Sequence, residues 1–269
     1  MGNFWGGITN TGSTDGSRYA VRTDMGDKPV NYVTWFDAAR VSNWLQAGGG
    51  TYLTSTSGSA AINSGAYTLN GATSGNAPGV NNGATFYVPT QDQWYKAAFY
   101  KGGGTNAGYW YYATQSDATP TAVTAGTTGS GSAGNTGNFA NYSNGADWNS
   151  LDGNVTTVGT NGGPSAYGAF DMSGNLYEWN DLDGTTGSNR GIRGGGWSDP
   201  GPARLSSQYS YSWTPANEDN NYGFRLARSG ASTSAVPEID TNSLGSVLAL
   251  VVGSLGLFER RRLKVRLAA

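Results

Sequence analysis

The chain has 269 residues and contains neither cysteine nor histidine. That composition excludes disulfides, thiolate-held zinc or iron–sulfur centres, a cysteine nucleophile, a Ser-His-Asp triad and the usual histidine-ligated zinc or iron. Charged residues make up 13%, half the usual ~25%, and the net charge is −2, with residues 259–269 carrying five basic groups against Glu259 and the remainder −6, so the main body offers no basic face for nucleic acid. Glycine (43), tryptophan (9) and tyrosine (16) are abundant, the pattern of a loop-rich globular protein anchored by aromatic side chains.

The first residues, Met1 to Gly7, supply neither the charged n-region nor the apolar h-region of an export signal. One reading is a cytoplasmic protein with a tail anchor; the reading expected here is that the natural N-terminus and its signal peptide lie upstream of Met1. A first helix is predicted over 35–46. Thr34 can cap it, Asp37 stands three residues on, and Ala38, Val41 and Leu45 recur at helical spacing. A second is predicted over 91–101, behind the capping box of Thr90 and Gln93, with Trp94, Ala97 and Ala98 inward and Gly102–Gly104 as its stop. Short strands are expected elsewhere. Residues 41–91 and 118–146 carry no charge and read as long Gly/Ser/Thr/Asn loops, which in a compact domain need a function or an ordering device.

Further along, Asp171 and Glu178 flank a glycine-containing turn. Carboxylate and carbonyl oxygens gathered by such a turn suit calcium; the alternative is a plain turn. Arg193 and Arg225 are either bidentate carboxylate holders or, more in keeping with such positions, pins for loop carbonyls. Asp181, Asp183 and Asp199 are expected to be solvated loop acids rather than a general acid–base pair. Trp5, Trp110, Tyr111, Tyr112, Trp197, Tyr209, Tyr211 and Trp213 either fill an irregular core or, in the group Trp197, Tyr209, Tyr211 and Trp213, form a ligand platform. At the C-terminus residues 241–258 carry no charge, and eighteen helical residues would span about 27 Å, close to a hydrocarbon core. The basic cluster that follows predicts a transmembrane helix with the last residues inside.

Four groups of residues occur in a telling order: Pro29–Ala39 leading to Asn43-Trp44-Leu45; Tyr87–Ala98; Tyr167–Trp179, which holds Asp171-Met172-Ser173-Gly174-Asn175; and Arg193-Gly194-Gly195-Gly196-Trp197 with the closing Gly223-Phe224-Arg225-Leu226-Ala227. This series resembles the formylglycine-generating enzyme, or sulfatase-modifying factor, domain over about residues 25–228. The resemblance implies an irregular, loop-rich α+β fold related to C-type lectins. It implies calcium ligands at Asp171, Glu178 and the carbonyls of Met172, Gly174 and Leu176, and a second set at Asn141, the Tyr142 carbonyl, Asp152 and the Asn154 carbonyl, for which a polar loop is the alternative. The enzymes of the family hold copper by two cysteines shortly after the RGG-x-W element. Here that stretch runs from Ser198 to Leu205 without cysteine, so copper is not expected, because oxygen donors are poor substitutes for thiolates on Cu(I). A second enzymatic branch uses iron on three histidines, and this chain has none.

The linker from Gly230, Val236-Pro237-Glu238, the apolar run and Arg260-Arg261-Arg262 together resemble a PEP-CTERM sorting signal, with Ile239 where the family has a second proline. That resemblance implies export, recognition by an exosortase-type membrane protease, and delivery to the cell surface or extracellular matrix. The domain organisation expected is 1–229 for the sulfatase-modifying-factor-like domain, 230–237 for the linker and 238–269 for the sorting tail. The function expected is a non-catalytic binding protein, its partner a surface polysaccharide or protein; an enzyme using the same groove with other residues is the alternative.

Overall fold

In a computed structural model, the residues described are 4–12, 18–49, 61–104 and 107–230. The chain divides into two units, Met1–Ser229 and Gly230–Ala269. Of the second, only Gly230 is described. The expected sorting residues Val236, Pro237 and Glu238, the apolar run 241–258 and Arg260, Arg261 and Arg262 therefore lie outside the described residues. Among the described residues no helix is long and apolar enough to cross a membrane.

The first unit is mixed α and β and rich in loops. Its central sheet has four strands. β6 (Tyr177–Asn180) and β7 (Arg190–Arg193) lie in the middle and are buried along their whole length. The edges are β8 (Tyr211–Trp213), antiparallel to β7, and β9 (Tyr222–Phe224), parallel to β6. Three two-stranded ribbons surround this sheet. β1 (Ile8–Asn10) pairs with β2 (Tyr19–Val21), β3 (Phe86–Tyr87) with β10 (Ala227–Arg228), and β4 (Thr121–Ala122) with β5 (Phe139–Ala140). The last pair helps to order the charge-free segment 118–146.

Helix α1 spans Trp35–Gln46 and begins as predicted: the Thr34 hydroxyl accepts from the Asp37 amide, and the Asp37 carboxylate accepts from the Thr34 amide. Its buried side chains are Trp35, Phe36, Ala38, Ala39, Ser42 and Asn43. Val41 and Leu45, expected inside, are only half-buried. The inward stripe is rotated because Asn43 is a polar staple. Its amide donates to the Ile62 and Tyr67 carbonyls and accepts from the Tyr67 amide, which ties the middle of the charge-free segment to the helix.

Helix α2 spans Gln91–Phe99 and carries the full Thr90–Gln93 box. It ends two residues before the expected 101, because Tyr100 is extended and bridges Tyr109. Trp94, Ala98 and Phe99 are buried, while Ala97 is half-buried. The main core gathers Trp35, Phe36, Tyr67, Val88, Trp179 and Ile192 between α1 and the sheet. Aromatic rings supply here the apolar area that long helices supply elsewhere.

Candidate functional site

The turn 171–178 is the junction of the domain. Gly174 takes a positive φ of 88°, and an added Cβ would meet the Asn141 carbonyl oxygen at 2.5 Å, so only glycine fits. Its amide donates to the Gly194 carbonyl at 2.7 Å, and the next amide, of Asn175, donates to Asn141. The Asn175 carboxamide then accepts from the Thr156 amide and from Asn141 Nδ2 while donating to the Thr156 carbonyl. Three segments far apart in sequence, 141–156, 171–178 and 193–197, are thereby joined at one point.

Glu178 leaves this turn on β6. Its carboxylate is forked by Arg225, whose Nε and Nη2 reach one oxygen each, and it also accepts from Trp94 Nε1 at 2.7 Å. Arg225 Nη2 donates in addition to the Phe170 carbonyl at 3.0 Å. Asp171 accepts from the Gly159 amide at 2.7 Å and from Asn161 Nδ2 at 2.8 Å. Burial pushes the Asp171 carboxyl above its ordinary range, against the pull of those two hydrogen bonds and of Arg225. A cavity of about 360 Å³ lies here, lined by Asp171, Glu178, Arg225, Phe170 and Phe224 among others.

These contacts test the first expected calcium set. The carboxylate oxygens of Asp171 already accept from Gly159 and Asn161, and those of Glu178 from Arg225 and Trp94. The residues as arranged do not fit calcium at this point. The second set is engaged in part, the Asn154 carbonyl by Asn141 Nδ2 and the Tyr142 carbonyl by the Gly145 amide, and differs in one buried oxygen that has no donor. Asn141 directs its Nδ2 to the Asn154 carbonyl, Thr156 Oγ1 and Asn175 Oδ1, which fixes the amide orientation. Its Oδ1 is buried with no hydrogen-bond partner. Asn144 Oδ1 is likewise buried and unpartnered and lies beside Gly153. The Tyr142 carbonyl accepts from the Gly145 amide, and Asp152 is exposed. Buried oxygens without donors are rare and call for a reason; hard oxygen donors of this kind fit calcium.

The loop acids contain a correction. Asp183 is exposed, as expected. Asp181 and Asp199, expected to be solvated, are instead 1% and 3% exposed. Asp181 accepts from Trp35 Nε1 at 2.8 Å and the Tyr67 hydroxyl at 2.7 Å, and its Oδ1 lies 2.9 Å from Arg190 Nε. Burial pushes its carboxyl up to about 6 against those partners. Arg190, equally buried, donates to the carbonyls of Ala77, Pro78 and Thr185 and lies over the Trp35 ring. This network escaped the sequence reading because its members are scattered and no spacing links them.

The family model for the sulfatase-modifying factor enzyme 1-like domain matches residues 7–230. The chain belongs to this family. Among solved structures, the crystal structure of CarF is similar at 21% identity over 78% of this chain and 70% of that one, with a TM-score of 0.47. Treponema denticola variable protein 1 is similar at 22% over 78% and 74%, TM-score 0.44, and PvdO from Pseudomonas aeruginosa at 20% over 81% and 70%, TM-score 0.40. No curated protein gives a significant match.

Within this sulfatase-modifying-factor domain, the stretch 198–205 is closed by an ion pair. Asp199 Oδ1 accepts from Arg204 Nη1 at 2.9 Å and from the Tyr177 hydroxyl at 3.0 Å, and Oδ2 accepts from the Gly196 amide at 2.7 Å. Burial and the Asp199 charge push the Tyr177 hydroxyl well above its ordinary value. Gly195, at φ 75°, allows this closure: a Cβ there would stand 2.6 Å from Leu205 Cδ1.

The expected ligand platform does not assemble as one surface. Trp197 is buried with Met25, Leu176 and Trp148 and stacks on Trp5. Tyr209 packs against the main core. Tyr211 and Trp213 are exposed on edge strand β8, their rings 5.3 Å apart. Of the other aromatics, Tyr112 is buried, Trp110 lies under Lys101, and Tyr111 is exposed. Arg193 and Arg225 both bond loop carbonyls, of Tyr209 and Phe170.

Proposed function

We propose that this is a non-catalytic binding domain on the sulfatase-modifying-factor scaffold, delivered to the cell surface or extracellular matrix. The observation that carries it is the stretch 198–205. Every side-chain oxygen of Asp199 is engaged by Arg204, Tyr177 or Gly196, and the chain has no thiol or imidazole to hold copper. The oxidation performed by the copper enzymes of the family needs that soft-donor site. A competition titration with a chromophoric Cu(I) chelator tests the reading. The chelator should keep its copper, and withdrawal of one equivalent by the protein would contradict the proposal.

Calcium is proposed as a structural ion held by Asn141, Asp152 and the carbonyls of Tyr142 and Asn154, with Asn144 as a further oxygen. It would supply cross-linking of loop segments, not chemistry.

Delivery rests on residues 230–269 and their resemblance to a sorting signal, which implies an exosortase-type protease and a membrane-held intermediate. Deleting residues 238–269 should move the protein from the membrane fraction to the soluble one. Identical fractionation of both forms would overturn the sorting assignment.

A further inference from the structure

We propose that the row of tyrosines Tyr95, Tyr109, Tyr100 and Tyr167, closed at its inner end by Arg193, binds a carboxylated polysaccharide. The inference rests on the binding reading above and names its site and ligand class. Arg193 is 7% exposed. Two other arginines of the sheet region face a carboxylate, the buried Arg190 with Asp181 and the half-buried Arg225 with Glu178. Among the described residues no acidic group lies within ion-pair distance of Arg193. One nitrogen, Nη1, donates to the Tyr209 carbonyl at 2.8 Å, and Nε is buried without a partner. A buried guanidinium left so is costly, and an arriving carboxylate would match its fork.

The row begins where Arg193 lies 5.1 Å over the Tyr95 ring. Tyr95 to Tyr109 is 4.9 Å, Tyr109 to Tyr100 is 5.8 Å, and Tyr100 to Tyr167 is 5.9 Å with the last two rings stacked. Tyr109 and Tyr167 are 45% and 56% exposed. Exposed, contiguous aromatic area of this kind marks an interaction surface. The planes are tilted, edge-on and stacked in turn, so contact falls mainly to the exposed rings Tyr109 and Tyr167, which a ligand long enough to touch both, such as a chain of sugar rings, would bridge. The flanking charges are mixed: Lys96 lies over the Tyr100 ring, Lys101 pairs with Asp117, and Asp92 acts on Arg193, so the preference for an anionic ligand comes from Arg193 itself.

The test is affinity electrophoresis of the full chain through gels containing polygalacturonate, with dextran and polyglutamate as controls. Retardation is expected with polygalacturonate only, and it should weaken at high salt. Tyr109→Ala with Tyr167→Ala should lower affinity at least tenfold with the melting temperature unchanged, since both rings are exposed. Arg193→Gln should lower it about tenfold to a hundredfold, the range for a hydrogen bond to a charged group. Absent retardation, equal retardation of the tyrosine variant, or equal binding of polyglutamate would each overturn the site. Oxygen-dependent turnover of a cysteine peptide would instead overturn the non-catalytic reading on which it rests, so the two failures are distinguishable.

Discussion

Asp181→Ala is expected to destabilise the domain by about 3–5 kcal/mol, the usual cost of leaving one member of a buried ion pair alone. The substitution strands Arg190, which is 1% exposed, and also removes the acceptor of Trp35 Nε1 and the Tyr67 hydroxyl. Trp35 and Tyr67 sit in the main core, and Arg190 holds the carbonyls of Ala77, Pro78 and Thr185, so helix α1, the loop before β3 and the turn after β6 lose a common tie. For a domain of this size the melting temperature should fall by roughly 6–20 °C. Asp183→Ala, two residues on and exposed, should stay within about 0.5 kcal/mol. Urea denaturation of the two variants checks this. Similar midpoints would show that Asp181 behaves as a surface acid.

Calcium at the proposed Asn141 site is expected to have the second large effect. Ordering backbone costs about 1–2 kcal/mol per residue, more for glycine, and an ion that binds only the folded form offsets part of it. At a hundredfold excess over its Kd the gain is about 2.7 kcal/mol, or roughly 5–11 °C in melting temperature. Chelator should therefore lower the wild-type transition. The response should be lost in Asn141→Ala with Asp152→Ala, which removes the unpartnered oxygen and the exposed carboxylate. It should persist in Asp171→Asn, whose carboxylate is engaged by Gly159 and Asn161. A wild type indifferent to chelator would defeat the calcium assignment, and a response lost in Asp171→Asn alone would move the ion to the turn.

Local signals were legible in the sequence where the physics is local. Both capping boxes form because a hydroxyl and a side-chain acceptor three residues apart can only meet in one way. The motifs at 171–178, 193–197 and 223–227 were visible as a family series, and the structure gives them a reason: Gly174, Asn175, Glu178 and Arg225 knit distant segments together. What the sequence concealed depends on which partner arrives from elsewhere. Asp181 and Asp199 look like ordinary loop acids until Arg190 and Arg204 are placed beside them. Asp171 and Glu178 have the spacing of a cation site, yet Arg225, about fifty residues on, forks the Glu178 carboxylate. Trp197 reads as a platform ring but is covered by Trp5 from the chain's beginning. The inward face of α1 is turned because Asn43, a polar residue, finds three backbone partners in 62–67.

On the proposed function the sulfatase-modifying-factor scaffold here binds without oxidising. Oxygen uptake measures it most directly: purified protein is loaded with copper under reducing conditions and given a sulfatase-type cysteine peptide. Uptake no faster than in copper and peptide alone is expected, with the cysteine mass unchanged. Sustained protein-dependent uptake, with conversion of the cysteine to an aldehyde, would contradict it.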